Sequence, residues 1–211
     1  ARQSGIITDL TTLQDGDTVV VFNPNAKKAM SADATGTYYR AGKDIKIDGN
    51  TVTDYGDTEL WTVNINADGT YTFSTADGKK LSMNADRNSL PLDEVNNTWN
   101  IKTSATADCF YIVNANRSDY YVEWFVNSSK GFEEFTTYTY KAANENLYAL
   151  QLYLVIKSDN PEPTPTPEPT LADGKYVIYN PGSGKAMSAD ATGTYYRAGK
   201  DVTVTNGKVA E

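Results

Sequence analysis

The chain contains no histidine and a single cysteine. Without histidine, Ser-His-Asp and Cys-His nucleophilic catalysis and the usual zinc ligand sets are excluded. The lone thiol, Cys109, opens the apolar run Cys109-Phe110-Tyr111-Ile112-Val113, which predicts a buried small hydrophobe rather than a reactive group. Basic runs are also missing. Lysine and arginine total 19 against 27 acidic residues, a formal charge of −8, so the electrostatic footprint for nucleic acid or an anionic membrane is absent. No stretch approaches the roughly 20 apolar residues that span a bilayer. No signal-peptide pattern opens the chain, which reads as a piece of something longer. Helical periodicity is weak, with only Ala142–Ala149 suited to a turn or two. No metal or cofactor is expected. The segment Asn66-Ala67-Asp68-Gly69 is too short for a twelve-residue calcium loop and reads as a turn. The carboxylate pairs Asp57/Glu59, Asp93/Glu94 and Glu133/Glu134 read as surface acidity rather than a glycosidase pair.

What is present is a duplication. The 17 residues from Lys28 to Asp44, KAMSADATGTYYRAGKD, recur unchanged from Lys185 to Asp201, at an offset of 157 residues. Phe22-Asn23-Pro24 returns as Tyr179-Asn180-Pro181 at the same offset. That period exceeds a solenoid repeat and fits a whole domain. Three segments follow: a complete module over 1–157, a linker over 158–170 (SDNPEPTPTPEPT), and the beginning of a second copy over 171–211. Alternating proline favours an extended, semi-rigid linker, up to ~40 Å long at ~3.1 Å per residue. The partial copy would present an apolar face including Tyr176, Val177, Ile178 and Met187. It is expected to be ordered by contact with the first module or with another chain.

Within the module, short strands alternate with turns: Thr18–Phe22, Leu60–Ile65, Thr70–Ser74, Lys80–Met83, Asn97–Lys102, Phe110–Asn114 and Leu150–Ile156. The chain is all-β. Three openings resemble one another, near residues 20, 71 and 111, and each unit closes on an aromatic or apolar strand around Trp61, Trp99 and Tyr153. Three units, each long enough for four short strands, predict a β-trefoil with those three rings equivalent around the core. A β-sandwich is the alternative.

Two groups of residues stand out as candidate binding sites. The duplicated block offers Asp33, Tyr38, Tyr39 and Arg40 around Gly36. Tyrosine supplies flat apolar faces for sugar C–H groups, and Asp and Arg supply directional hydrogen bonds to hydroxyls. The third unit offers Tyr121, Glu123 and Trp124 within Tyr120–Phe125, followed by Phe132, Phe135, Tyr138 and Tyr140, of which one aromatic set is expected to be core. Strand alternation sends Tyr121, Glu123 and Phe125 to one face and Trp124 to the other.

The succession DGDTVVVFNP, KAMS, YYRAG, ELWTVNINADGTYTF, GKKLSM, SLPLDEVNNTWNI and YYVEWF resembles a module appended to large secreted enzymes of gut Firmicutes. The likeness covers nearly all of residues 10–157 and restarts at 171. Among the hosts of that module are extracellular nucleotidases, phosphoesterases and glycan-degrading enzymes. The resemblance implies an extracellular accessory domain, with catalysis in a separate domain of the parent enzyme. The expected role is therefore a non-catalytic carbohydrate-binding module in tandem, with a host or dietary glycan as partner. A spacer or protein–protein interaction module is the alternative.

Overall fold

The computed structural model describes residues 2–157 and 172–210; the Pro/Thr-rich stretch expected to join the modules lies outside the described residues. The described residues form two compact units. In the first, the strands in chain order are β1 (Gly5–Ile7), β2 (Asp17–Asn23), β3 (Lys28–Thr35), β4 (Tyr39–Lys43), β5 (Lys46–Asp48), β6 (Thr51–Asp54), β7 (Trp61–Ile65), β8 (Tyr71–Ser74), β9 (Trp99–Thr103), β10 (Phe110–Asn114), β11 (Tyr120–Asn127), β12 (Phe132–Thr139) and β13 (Gln151–Leu154). A 3₁₀ turn (Ala142–Asn144) and the short helix α1 (Glu145–Tyr148) precede β13.

Six of these strands close a barrel. β2 pairs with β7, β7 with β8, β8 with β9, β9 with β10, and β13 returns to β2. The circle is completed between β10 and β13 by the Phe110–Leu150 bridge, whose backbone groups exchange bonds of 2.7 and 3.0 Å. Hairpins β3–β4 and β11–β12 cap one end and touch each other where Arg40 opposes Phe135. The middle unit has only isolated bridges in the corresponding place, Ser74–Lys80 and Leu81–Leu92. The expected strand over Lys80–Met83 is reduced accordingly. The architecture is a β-trefoil.

Threefold equivalence is visible in side chains. Trp61 opposes Val19, Trp99 opposes Tyr71, and Leu150 opposes Phe110. The indole nitrogens of Trp61 and Trp99 donate to the carbonyls of Met30 and Leu81, each at 2.9 Å. A buried indole N–H requires such an acceptor. The third core position is therefore Leu150, not Tyr153 as the sequence pattern implied. Alternation along β13 turns Leu150, Leu152 and Leu154 into the barrel, and Tyr153 outward onto Val20, Phe22 and Val52. Strands β5 and β6, which pair with each other, cover that outer cluster with Ile47 and Val52.

One close approach locks the cap onto the core. A Cβ on Gly42 would come within 2.4 Å of the Trp124 ring, which packs edge-on against Phe135 at 5.0 Å. Only glycine lets β4 lie against that indole.

The second unit has strands β14 (Tyr179–Asn180), β15 (Lys185–Thr192), β16 (Tyr196–Asp201), β17 (Val204–Thr205) and β18 (Lys208–Val209). β15 and β16 repeat the β3–β4 hairpin down to the register shift, between Met187 and Ala191 here and between Met30 and Ala34 there. Ion pairs repeat too: Lys185–Asp201 and Lys28–Asp44 both measure 2.7 Å. Tyr176, Val177, Ile178 and Met187 are exposed, whereas the sequence leads us to expect them covered by a contact.

Substituting Gly42→Ala is expected to destabilise the protein by about 1–3 kcal/mol, the usual cost of overpacking a rigid core contact. Gly199→Ala, the same change in the second unit, meets only the Lys185 side chain and should leave the main unfolding transition in place. Urea denaturation of the two variants checks this; equal effects would contradict it.

Candidate functional site

The β11–β12 hairpin separates its side chains by alternation. Glu123 opposes Thr136, Phe125 opposes Glu134 and Asn127 opposes Phe132. These residues face outward, while Val122, Trp124 and Phe135 enter the core. The turn is made possible by Gly131, whose φ of +70° suits glycine. Between the outward residues lies a groove of about 200 Å³, completed by Tyr39, Asn88, Lys130 and Tyr138. Pockets that engulf drug-sized ligands run to roughly 300–1,000 Å³, so this one accepts a single ring or the end of a chain.

The groove joins the two candidate groups. Arg40 opposes Phe135 across the β4–β12 seam; its neighbour Tyr39 therefore faces outward beside Glu134 and Thr136. The remaining candidates serve elsewhere. Arg40 is buried, with Nε donating to the Leu90 carbonyl at 2.8 Å and Nη1 to the Ala32 carbonyl at 2.6 Å. Burial pulls its pKa below the ordinary arginine value, against the pull of Asp33. Tyr38 carries the Arg87 guanidinium 4.6 Å above its ring. Asp33 is exposed and paired with Lys43 at 2.9 Å. Tyr121 stacks on Tyr140 at 5.0 Å within a cluster that includes Tyr111 and Tyr148. Trp124 is core. The block thus forms no open patch; Tyr39 alone of its four candidates lines the groove.

Two carboxyl groups line the groove wall, and both are nearly inaccessible, each 3% exposed. Burial pushes Glu123 up to about 7, with the Tyr148 hydroxyl and Lys141 acting against it. Burial also raises Glu134. Thr136 Oγ1, between them on the same face, is buried without a hydrogen-bond partner, an unusual state for a polar atom. In contrast, the rings of Phe132 and Tyr138 are 44% and 38% exposed. Glu134 was legible only as half of an acidic pair. The period-two reading of Phe132-Glu133-Glu134-Phe135-Thr136-Thr137-Tyr138 places Glu134 on the face of Phe132, Thr136 and Tyr138.

No protein-family model matches the sequence, and no curated protein sequence matches it. Among solved structures, a ricin B-like lectin of Macrolepiota procera in complex with lactose superposes with a TM-score of 0.52 at 12% identity, covering 66% of this chain and 96% of that one. The BEL β-trefoil, in an apo crystal form, gives 0.52 at 12% identity, covering 68% and 96%. A GlcNAcα1-4Gal-releasing endo-β-galactosidase from Clostridium perfringens gives 0.50 at 13% identity, with 66% of this chain matching 33% of that enzyme. At these identities the likeness establishes the β-trefoil fold.

The raised Glu123 carries a pH dependence of known sign. Its folded value, about 7, exceeds the ordinary 4.5, so the native state holds the proton more tightly than the unfolded chain. The associated stability is fully present below the unfolded value and is lost as pH rises through about 7, up to about 3 kcal/mol in all. Chemical denaturation should show the protein weakening between pH 5 and 8, and Glu123→Gln keeping most of that stability. Identical pH profiles for the two proteins would contradict the assignment.

Proposed function

We propose that the first unit is a non-catalytic glycan-binding module whose site is the β11–β12 groove. The observation that carries this reading is the juxtaposition of exposed Phe132 and Tyr138 rings with buried polar groups in a pocket of single-ring size. Sugars present apolar C–H faces and a fringe of hydroxyls, and such a surface meets both. The trefoil of the lactose-bound lectin supports the reading through shared architecture. Glu123 and Glu134 are diagonal neighbours on one wall. Glycosidases place two carboxyls on opposite sides of the scissile bond, so this arrangement suits recognition rather than hydrolysis.

The partner in this reading is a host or dietary polysaccharide, and the module serves a secreted bacterial enzyme whose catalytic domain lies elsewhere in the same chain. A shallow site of this size binds weakly alone. A second copy raises apparent affinity through effective concentration, provided the linker lets both copies engage one polymer.

A second reading, a spacer or protein–protein interaction module, draws on the internal use of Arg40 and the pairing of Tyr38 with Arg87. It assigns the invariant block to folding and needs no ligand. A broad glycan panel probed with the intact chain separates the two. Glycan binding is expected, and the Phe132→Ala, Tyr138→Ala double variant should lose about tenfold or more in affinity, the scale of removing aromatic anchors, without loss of fold. A folded chain that binds nothing on the panel, or a double variant that binds undiminished, would favour the spacer.

A further inference from the structure

Resting on the glycan reading, we infer that the saccharide recognised in the β11–β12 groove carries a free, positively charged amine, as in a glucosamine unit lacking its acetyl group. A neutral sugar calls for acceptors and donors in balance. This groove instead combines two carboxyl groups with four aromatic rings, Tyr39, Phe125, Phe132 and Tyr138. Carboxylate plus aromatic faces is the chemistry that holds an ammonium group, through charge-assisted hydrogen bonds and attraction to the ring quadrupoles.

Glu123 accepts a hydrogen bond from the Tyr148 hydroxyl, but neither groove carboxyl has an ion-pair partner among the described residues. Keeping two carboxyls almost wholly inaccessible without an ion-pair partner costs free energy that an apolar pair would not. A bound cation restores that loss. Thr136 Oγ1, unpartnered on the same face, has lone pairs available for a ligand N–H. The protein's own cations approach without pairing: Lys130 lines the groove, and Lys141 acts on Glu123 without an ion-pair contact. Lys130 is exposed on the turn between β11 and β12, and Lys141 Nζ stands 5.3 Å over the Tyr138 ring. That lysine also shows that the Tyr138 face accepts an ammonium group.

Glu133 provides an internal control. It follows Phe132 on β12, but it is exposed and lies on the opposite face from the groove, opposite Val126. Electrostatic attraction to a chain of charge −8 would respond equally to removing either neighbouring carboxylate. Recognition in the groove responds only to Glu134 and Glu123.

The test uses isothermal titration of the full chain with three oligosaccharides of equal length, built from glucosamine, N-acetylglucosamine or glucose, at about 0.15 M salt to screen surface attraction. The glucosamine oligomer should bind at least about tenfold more tightly than the other two. Glu134→Gln and Glu123→Gln should each shrink that preference, and Glu133→Gln should retain it. Equal affinity for the three oligomers overturns the amine inference while leaving glycan binding intact. A preference that survives both groove substitutions, or falls equally with Glu133→Gln, overturns it as well. If no oligosaccharide binds, the glycan reading fails. The cation is then decided by tetramethylammonium, which must perturb the groove resonances of the wild type and not those of Glu134→Gln, or the inference falls with it.

Discussion

A single buried guanidinium holds the three units of the trefoil in register. Arg40 stands on β4 in the first unit, donates to the Leu90 carbonyl in the second, and opposes Phe135 in the third. A second bond returns to Ala32 within its own hairpin. The adjoining Tyr38 carbonyl accepts from the Leu90 amide at 2.7 Å, so the same loop is held from both sides. Arginine suits this role because its planar donors diverge at fixed angles and serve separate acceptors at once; a lysine ammonium at the same place would lack that geometry. Removing it would strand buried carbonyls, each costing about 1–3 kcal/mol.

The groove is a consequence of that seam. With Arg40 inward, alternation sends Tyr39 outward, alongside the outward face of β12. Gly42 then allows β4 to lie on the Trp124 ring, and that indole underlies the hairpin that carries Phe125, Phe132 and Tyr138. Core and candidate site therefore share two strands, one face of each. A rigid floor of this kind lets exposed rings sit ready for a ligand at low ordering cost. The buried Glu123 and Glu134 oppose stability in the ionised state, a burden characteristic of sites tuned for binding rather than for folding alone.

Much of the fold was readable from the chain. Trp61 and Trp99 marked two of three equivalent positions because each heads a short alternating strand after a turn. The third was misplaced at Tyr153 because an aromatic was sought where the structure uses Leu150; around β13 only Gln151 interrupts the apolar run Leu150–Ile156, and the two faces separate clearly once the strand is paired. The β5–β6 hairpin, which covers Tyr153 and Phe22, had its turn signal in Gly49-Asn50 but contributes no repeat of its own. For the candidate groove, identical duplication drew attention to the β3–β4 hairpin, of whose four candidate side chains Tyr39 alone lines the groove. A repeated arginine reads equally as ligand contact or as scaffold, and only the seam with β12 decides. Tyr39 and Glu123, placed in separate candidate groups, meet because β4 pairs with a strand over ninety residues away, a contact that no local pattern encodes.

The central claim, that one face of β11–β12 beside Tyr39 is the binding surface, is tested most directly by a crystal structure of the chain grown with a glucosamine oligosaccharide. The account predicts one sugar ring against Phe132 and Tyr138 with its amine toward Glu134. A ring bound at Asp33, on the Tyr121–Tyr140 stack, or on either of the other two trefoil units would contradict it.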